Sequence, residues 1–195
     1  MGMRKKLILI GGMPGSGKTY IGIELARQLG VFIDKDTISH FFTEKMLMLL
    51  GSHVDDRESD VYLSNIRNLE YQTMMKLALE NLEVNKNVIC SAPFIHEFGD
   101  QEWLEDISFK AELIDSEVVK IWVHVDLPTA RERIIARGAS RDRWKLANWD
   151  DYVSSLPESA PSEGDVIVID NSQTPEVPLF EKIDLVVKEI NGGAV

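Results

Sequence analysis

Cysteine is nearly absent from this sequence, positive charge is scarce, and no apolar run is long. Cys90 is the one cysteine, so no disulfide can form within the chain. That fits a reducing compartment and a cytoplasmic location. Asp and Glu number 32 against 21 Lys and Arg, giving a formal net charge of -11. A general nucleic-acid or membrane-surface binder needs a broad basic face, and this balance argues against one. It leaves room for a local basic pocket. No apolar stretch approaches a membrane span. The opening MGMRKKLILIGG has a basic head, but its apolar stretch stops after four residues and reads as a buried strand rather than a secretion signal. Internal repeats, low-complexity tracts and linkers are also lacking.

What remains is an ordinary globular composition, 44% hydrophobic and 27% charged over 195 residues, enough for one α/β domain with a sizeable core. Apolar runs at 7–10, 31–33, 87–91, 118–125 and 166–169 predict five short strands. Helical spacing predicts helices over 18–30, 37–50, 60–85, 101–114, 129–137 and 178–190. On the second of these the apolar stripe runs through Phe41, Phe42, Met46 and Leu49, which suits a core or an interface. On the third it runs through Leu63, Ile66, Leu69, Met74 and Leu77. Residues 51–59 and 158–164 read as polar loops. Strands buried on both faces and separated by helices imply a parallel sheet in a three-layer α/β/α sandwich.

The chemistry starts at GGMPGSGKT. Gly12, Met13, Pro14, Gly15, Ser16, Gly17, Lys18 and Thr19 fit G-x-x-x-x-G-K-[ST], with an apolar strand before and an amphipathic helix after. Gly15 and Gly17 let the backbone wrap inward, and its amides with the helix N-terminus make an anion site. Lys18 supplies a mobile charge for β- and γ-phosphates, and the Thr19 hydroxyl can bind Mg²⁺. Tyr20 follows directly and joins the nucleotide-binding candidates.

Strand two ends in FIDKDTIS, on the rim where open parallel sheets bind ligands. Asp34 or Asp36 can accept a proton from an attacking hydroxyl, and either can hold Mg²⁺. Asp36 is the stronger candidate on position. The structural alternative is that Asp36 or Thr37 merely caps the next helix. Strand three ends in CSAPFIHEF, placing Ser91 on the same rim and Phe94 and His96 beside an acceptor pocket. Cys90 reads as buried filler. His40, His53 and His124 show no metal spacing. Between residues 131 and 145 lie six basic and two acidic residues. Gly138 permits a bend there, and Arg137 and Arg141 are candidates to reach phosphates, ahead of Arg143.

GGMPGSGKT, FIDKDTIS and RERIIARGASRDRWKLANWDDYV together resemble the P-loop kinases of small molecules. The specific group is the AAA-type ATP-binding domains related to polynucleotide kinase, the zeta toxins and chloramphenicol phosphotransferase. The likeness extends over residues 5–190. It implies a five-stranded parallel sheet of order 2-3-1-4-5 and Mg-ATP as donor. It also implies a base after strand two, best matched by Asp36, and an arginine-bearing lid carrying Arg137 and Arg141. An adenine site built by the loop after the last strand would include Gln173 and Thr174. The expected whole is a single domain over 1–195, with an acceptor-side helical region at about 37–69 and a lid at about 137–150. Two departures matter. No acidic pair ends an apolar strand in the manner of a motor ATPase, which favours transfer to an acceptor. CSAPFIHEF matches no acceptor motif for one sugar, antibiotic or nucleotide.

The expected function is transfer of the ATP γ-phosphate to a hydroxyl of a small molecule. Alternatives are a nucleotide-binding regulator with slow ATPase activity and a nucleic-acid end kinase. The charge balance weakens the last, as does the acidic cluster Asp55, Asp56 and Glu58 in the presumed acceptor region. The oligomeric state stays open.

Overall fold

Four consecutive residues, Leu7 to Ile10, have no solvent exposure at all. A strand sealed on both faces belongs at the centre of a parallel sheet, and this one does. A computed structural model describes residues 4–84, 86–156, 165–173 and 176–192. Strand β1 (Lys5–Gly11) pairs in parallel with β3 (Asn87–Ser91) on one side and β4 (Ser116–His124) on the other. Outside these lie β2 (Val31–Asp34) and β5 (Val166–Asp170), giving the order β2-β3-β1-β4-β5. This is the expected topology.

Successive side chains of β1 point to opposite faces, so its apolar run feeds two cores. Leu7 and Leu9 join Met74, Leu82, Cys90, Phe94 and Phe98 on one side, under α4 (Arg67–Val84) and α5 (Gln101–Glu112). Ile8 and Ile10 join Ile21, Leu25, Ile121 and Ile183 on the other, under α1 (Lys18–Leu29) and α9 (Leu179–Ile190). Cys90 is fully buried, as filler should be, and burial pushes its thiol pKa up.

Three elements differ from expectation. Helix α2 (Lys35–Leu49) starts two residues early, because Asp34 is its cap: one carboxylate oxygen accepts from the Thr37 amide at 3.0 Å. The predicted helix over 60–85 is two, α3 (Asp60–Asn65) and α4, broken at Ile66. Tyr62 and Glu70 would lie about 12 Å apart along a straight helix axis; across the bend the Tyr62 hydroxyl donates to Glu70 at 2.7 Å. Helix α6 (Leu127–Arg137) is capped by Asp126, which accepts from the Thr129 amide at 2.8 Å, so it too begins earlier.

The apolar stripe of α2, open between a core and an interface in the sequence, lies largely on the outside. Phe41 and Phe42 are 79% and 77% exposed, and Leu49 is exposed as well. The inward face is Lys35, Ser39, Thr43 and Leu47. The reason lies on α4. Glu70 is buried opposite α2 and demands hydrogen-bond donors, which Ser39 and Thr43 supply at 3.1 and 2.5 Å. Leu63 and Leu69 are likewise turned outward. After Gly138, a 3-10 turn at Ser140–Asp142 leads into two short helices, α7 (Arg143–Ala147) and α8 (Trp149–Ser154). The expected loop at 158–164 lies outside the described residues.

Candidate active site

The β1–α1 loop is shaped by contacts that admit no side chain. Gly15 has φ 83°, and a Cβ there would sit 2.6 Å from the Ala130 carbonyl oxygen on α6. Gly17 has φ 92°, and its Cβ would sit 2.5 Å from the Asn171 amide nitrogen. Both positions therefore need glycine for backbone sign, and Gly15 needs it for space as well, because the atoms in its way are main chain. The Asn171 side chain donates to the Ser16 carbonyl at 2.8 Å, and Arg133 donates to the Gly15 carbonyl at 3.3 Å. The loop after β5 and helix α6 thus hold the outside of the curl. Gly12 donates its amide to the Pro93 carbonyl at 3.0 Å, and Ser16 is fully buried.

Lys18 reaches back over this loop, donating to the Met13 carbonyl at 2.9 Å. Burial pulls its ammonium pKa down to about 8, with Asp36 resisting and Arg137 assisting. The Thr19 hydroxyl lies 3.4 Å from Asp34. Asp34 therefore does two things, capping α2 with one oxygen and meeting Thr19 with the other. A hydroxyl and carboxylates beside a phosphate cradle are hard oxygen donors, the set Mg²⁺ prefers when phosphates supply the rest. Among the described residues no group of three or more His, Cys, Asp or Glu could hold a metal alone. Tyr20 is exposed on the first turn of α1.

Asp36 is held between two cations. Lys35 lies 2.9 Å from one oxygen and Arg141 3.2 Å from the other. Partial burial opposes its charge, but Lys35 and Arg141 outweigh that and hold the carboxyl at about 2. Lys35 itself is buried and also pairs with Glu70 at 2.6 Å. Glu70 accepts from Tyr62, Thr43 and Ser39 besides. This network fixes Asp36 from behind and ties α2 to α3 and α4. Sequence reasoning missed it, because its members lie on three helices and follow no motif.

The arginine-rich segment divides. Arg141 reaches Asp36, whereas Arg137 is gripped by Asp142, with donors at 3.0 and 2.7 Å to one carboxylate oxygen. Asp142 is buried and went unassigned in the sequence. Arg143 is exposed. The segment is pinned to the 51–59 loop by contacts from Ser140 to Asp55 and from Lys145 to Glu58. Asp56 instead accepts from Ser52 and the Ser59 amide within the loop. Of the acidic cluster there, two members thus serve as anchors. Gln173 is exposed, with its amide 3.4 Å from Glu132; Thr174 lies outside the described residues.

These groups share one cavity of about 440 Å³. Lys18, Thr19, Asp34, Asp36, Ser91, His96, Arg137 and Arg141 all line it. So do Arg57, Tyr62, Arg67, Lys145 and Tyr152, none of which the sequence singled out as site residues. Eight basic side chains against four acidic ones line its wall, in a chain of net charge -11. Phe94, at the head of the β3 rim, is buried with φ 48°, a conformation costly for a bulky residue.

A family model for an AAA domain matches residues 7–159. The chain belongs to the AAA-domain family. This member has the fold of P-loop kinases, as solved structures show. A putative kinase from Chloroflexus aurantiacus superposes with a TM-score of 0.69 at 21% identity, covering 99% of this chain and 100% of its own. A gluconokinase from Sinorhizobium meliloti gives 0.59 at 16%, covering 98% and 94%. The APS kinase CysC of Mycobacterium tuberculosis, solved with AMPPNP and APS, gives 0.59 at 13%, covering 98% and 100%. No curated protein matches the AAA-domain chain by sequence. Among its described residues no helix is long and apolar enough to cross a membrane.

Proposed function

We propose that this protein transfers the γ-phosphate of Mg-ATP to a hydroxyl of a small molecule. One observation carries the reading: Asp36, held between Lys35 and Arg141, lines the same cavity as Lys18 and Thr19. The phosphate-binding loop alone would suit any nucleotide-binding protein. A fixed carboxylate facing that loop suits an incoming hydroxyl.

The residues then have separable tasks. The backbone from Gly12 to Thr19 cradles the phosphates, and Lys18 places its ammonium against the β- and γ-oxygens. Thr19 with Asp34 or Asp36 would hold Mg²⁺, whose chemistry is to screen charge on the β- and γ-phosphates. Asp36 orients the acceptor hydroxyl and takes its proton as the oxygen bonds to the γ-phosphorus and the bond to ADP breaks. A carboxylate of such low basicity is a poor base by itself. Phosphoryl transfer asks little covalent help, though, so orientation is most of its task. Arg141 is 3.2 Å from Asp36 and lines the same cavity as Lys18; turning toward a γ-phosphate there would also return basicity to Asp36. Arg137 lines the cavity from its pair with Asp142 and adds positive field. The segment at 137–150 acts as a lid, and residues 37–69 build the acceptor side. Asn171 and Gln173 border the nucleotide end, where the base would lie. The cavity has room for a small molecule, and the chain's net charge of -11 disfavours a polyanion.

The test is a screen of hydroxylated metabolites with purified protein and Mg-ATP, with products read by mass. A gain of one phosphoryl group, abolished in Lys18→Ala, is the expected result. ATP turnover that stays slow with every acceptor would instead favour a nucleotide-gated regulator.

A further inference from the structure

One part of the cavity is built for something other than a triphosphate. Tyr152, on α8, is only 5% exposed, and its hydroxyl meets no hydrogen-bond partner among the described residues. It nevertheless lines the cavity. A buried hydroxyl left unpaired is unusual enough to require a reason. Arg57, on the 51–59 loop, lines the cavity too. It donates to the Val54 carbonyl at 3.1 Å and lies over the Tyr62 ring at 5.6 Å. No carboxylate of the described residues is within ion-pair reach of it.

The carboxylates of the 51–59 loop are engaged elsewhere, and Asp142 is held by Arg137. Glu58 is held by Lys145, which also lies 5.7 Å from the Tyr152 ring centroid. Asp55 accepts from Ser140, and Asp56 from Ser52 and Ser59. Arg67 is neutralised by Glu97 at 2.7 Å. The chain of contacts Glu58–Lys145–Tyr152 therefore brings the loop that carries Arg57 and the helix that carries Tyr152 to one place. That place offers one uncompensated guanidinium and one free hydroxyl donor. A neutral polyol would leave the guanidinium unanswered, and a cation would be repelled.

We infer that Arg57 and Tyr152 form an anion subsite, so that the small hydroxylated molecule bound here carries a carboxylate or a phosphate ester. It rests on the kinase reading above only in making that molecule the phosphoryl acceptor. Arg57 forms the forked pair with the anion and Tyr152 donates to it, so the ionised group is placed away from the loop that holds the donor's phosphates.

The experiment is calorimetry on the full chain with Mg-AMPPNP at saturation, so that added anions cannot settle in the phosphate loop. Two matched triads serve as probes: glycerate, glycerol 3-phosphate and glycerol; and gluconate, glucose 6-phosphate and glucose. At least one anionic member should bind about tenfold or more tightly than its neutral parent. Whether the carboxylate or the phosphate ester wins identifies the anion. Arg57→Gln should erase that preference. Tyr152→Phe should weaken the anionic probe several-fold while leaving the melting temperature equal or higher, since it deletes only an unpaired hydroxyl. The inference is overturned if neutral parents bind as well as the anions, if no anionic probe binds, or if Arg57→Gln keeps the preference. The AMPPNP titration that precedes these runs judges the kinase reading separately: a protein that binds AMPPNP and phosphorylates a neutral acceptor keeps that reading and loses this one.

Discussion

The two ends of the cavity are made in different ways. The phosphate end is main chain: eight consecutive residues from Gly12 to Thr19, curled so tightly that glycine is required at three of them. The other end is side chain: Lys35 from α2, Tyr62 from α3, Arg67 from α4, Arg57 from a loop and Tyr152 from α8. A backbone site can be local, because amides are present in every residue and only the curvature must be encoded. A side-chain site selects among ligands, so it gathers different groups from wherever the fold can bring them.

Asp36 sits where the two ends meet, and it gives the sharpest way to break the comparison. Asp36→Asn keeps the phosphate loop whole and removes the proton acceptor. Transfer to an identified acceptor should fall by roughly 10² to 10⁴-fold, while Mg-AMPPNP affinity by calorimetry changes far less. If Asn supports the full transfer rate, Asp36 is not the base and Asp34 takes its place.

Next in size is the network behind Asp36. Lys35 and Glu70 are both about 4% exposed, so deleting one leaves the other charged in the interior. Lys35→Met should lower unfolding free energy by roughly 3 kcal/mol, the low end for a broken buried pair, because three hydroxyls still serve Glu70. Urea denaturation measures it. The pair also sets a pH window. Burial opposes both charges, but pairing outweighs it and holds Glu70 below its ordinary 4.5 and Lys35 above its ordinary 10.5. Their mutual stabilisation is complete between those values. It fades as pH falls below 4.5, where the unfolded chain takes up a proton that native Glu70 refuses, and as pH rises above 10.5, where the unfolded chain releases one that Lys35 keeps. In Glu70→Gln the acid limb of this dependence should shrink.

These contrasts explain what could be read in advance. The strands, their parallel arrangement and the phosphate loop are patterns of neighbours, so spacing reveals them. The sheet order came from the likeness carried by three motifs. Helix α2 shows why the rest was hidden. Its apolar row, with Phe41, Phe42 and Leu49, and its polar row, Lys35, Ser39 and Thr43, are both visible in the sequence. Which row faces inward depends on Glu70, far along the chain. Hydrophobicity alone leaves open whether the apolar row faces a core or an interface. The break at Ile66 carries no glycine or proline, so a single helix was the natural reading. Asp142 and Tyr152 lie in a segment read for its arginines, and nothing in its spacing marks the buried acid or the buried ring.

The phosphate end should show its own pH response. Lys18, with its ammonium pKa pulled down to about 8, is charged at neutral pH and loses its proton as pH rises past that value. A bound triphosphate favours the charged form and raises the pKa. Mg-ATP affinity should therefore be flat below pH 8 and fall up to about tenfold per unit above it. Calorimetry in buffers of different ionisation enthalpy should detect proton uptake on binding at pH 8.5 and almost none at 6.5, both values set by the pKa of about 8. In Lys18→Met this proton linkage should vanish along with most of the affinity.

The smallest effect tests whether even the main-chain end is truly local. Asn171 lies far from the loop in sequence, yet it donates to the Ser16 carbonyl at 2.8 Å and packs where a Gly17 side chain would go. Asn171→Ala removes one neutral hydrogen bond, worth about 1 kcal/mol, so the loop should keep its shape with a few-fold weaker grip on Mg-AMPPNP. A much larger loss would mean that the curl is held from outside and that the motif needs the β5 loop to work. No change at all would mean that residues 12–19 hold their conformation unaided, which is the strongest form of the contrast between a cradle of backbone and a pocket of side chains.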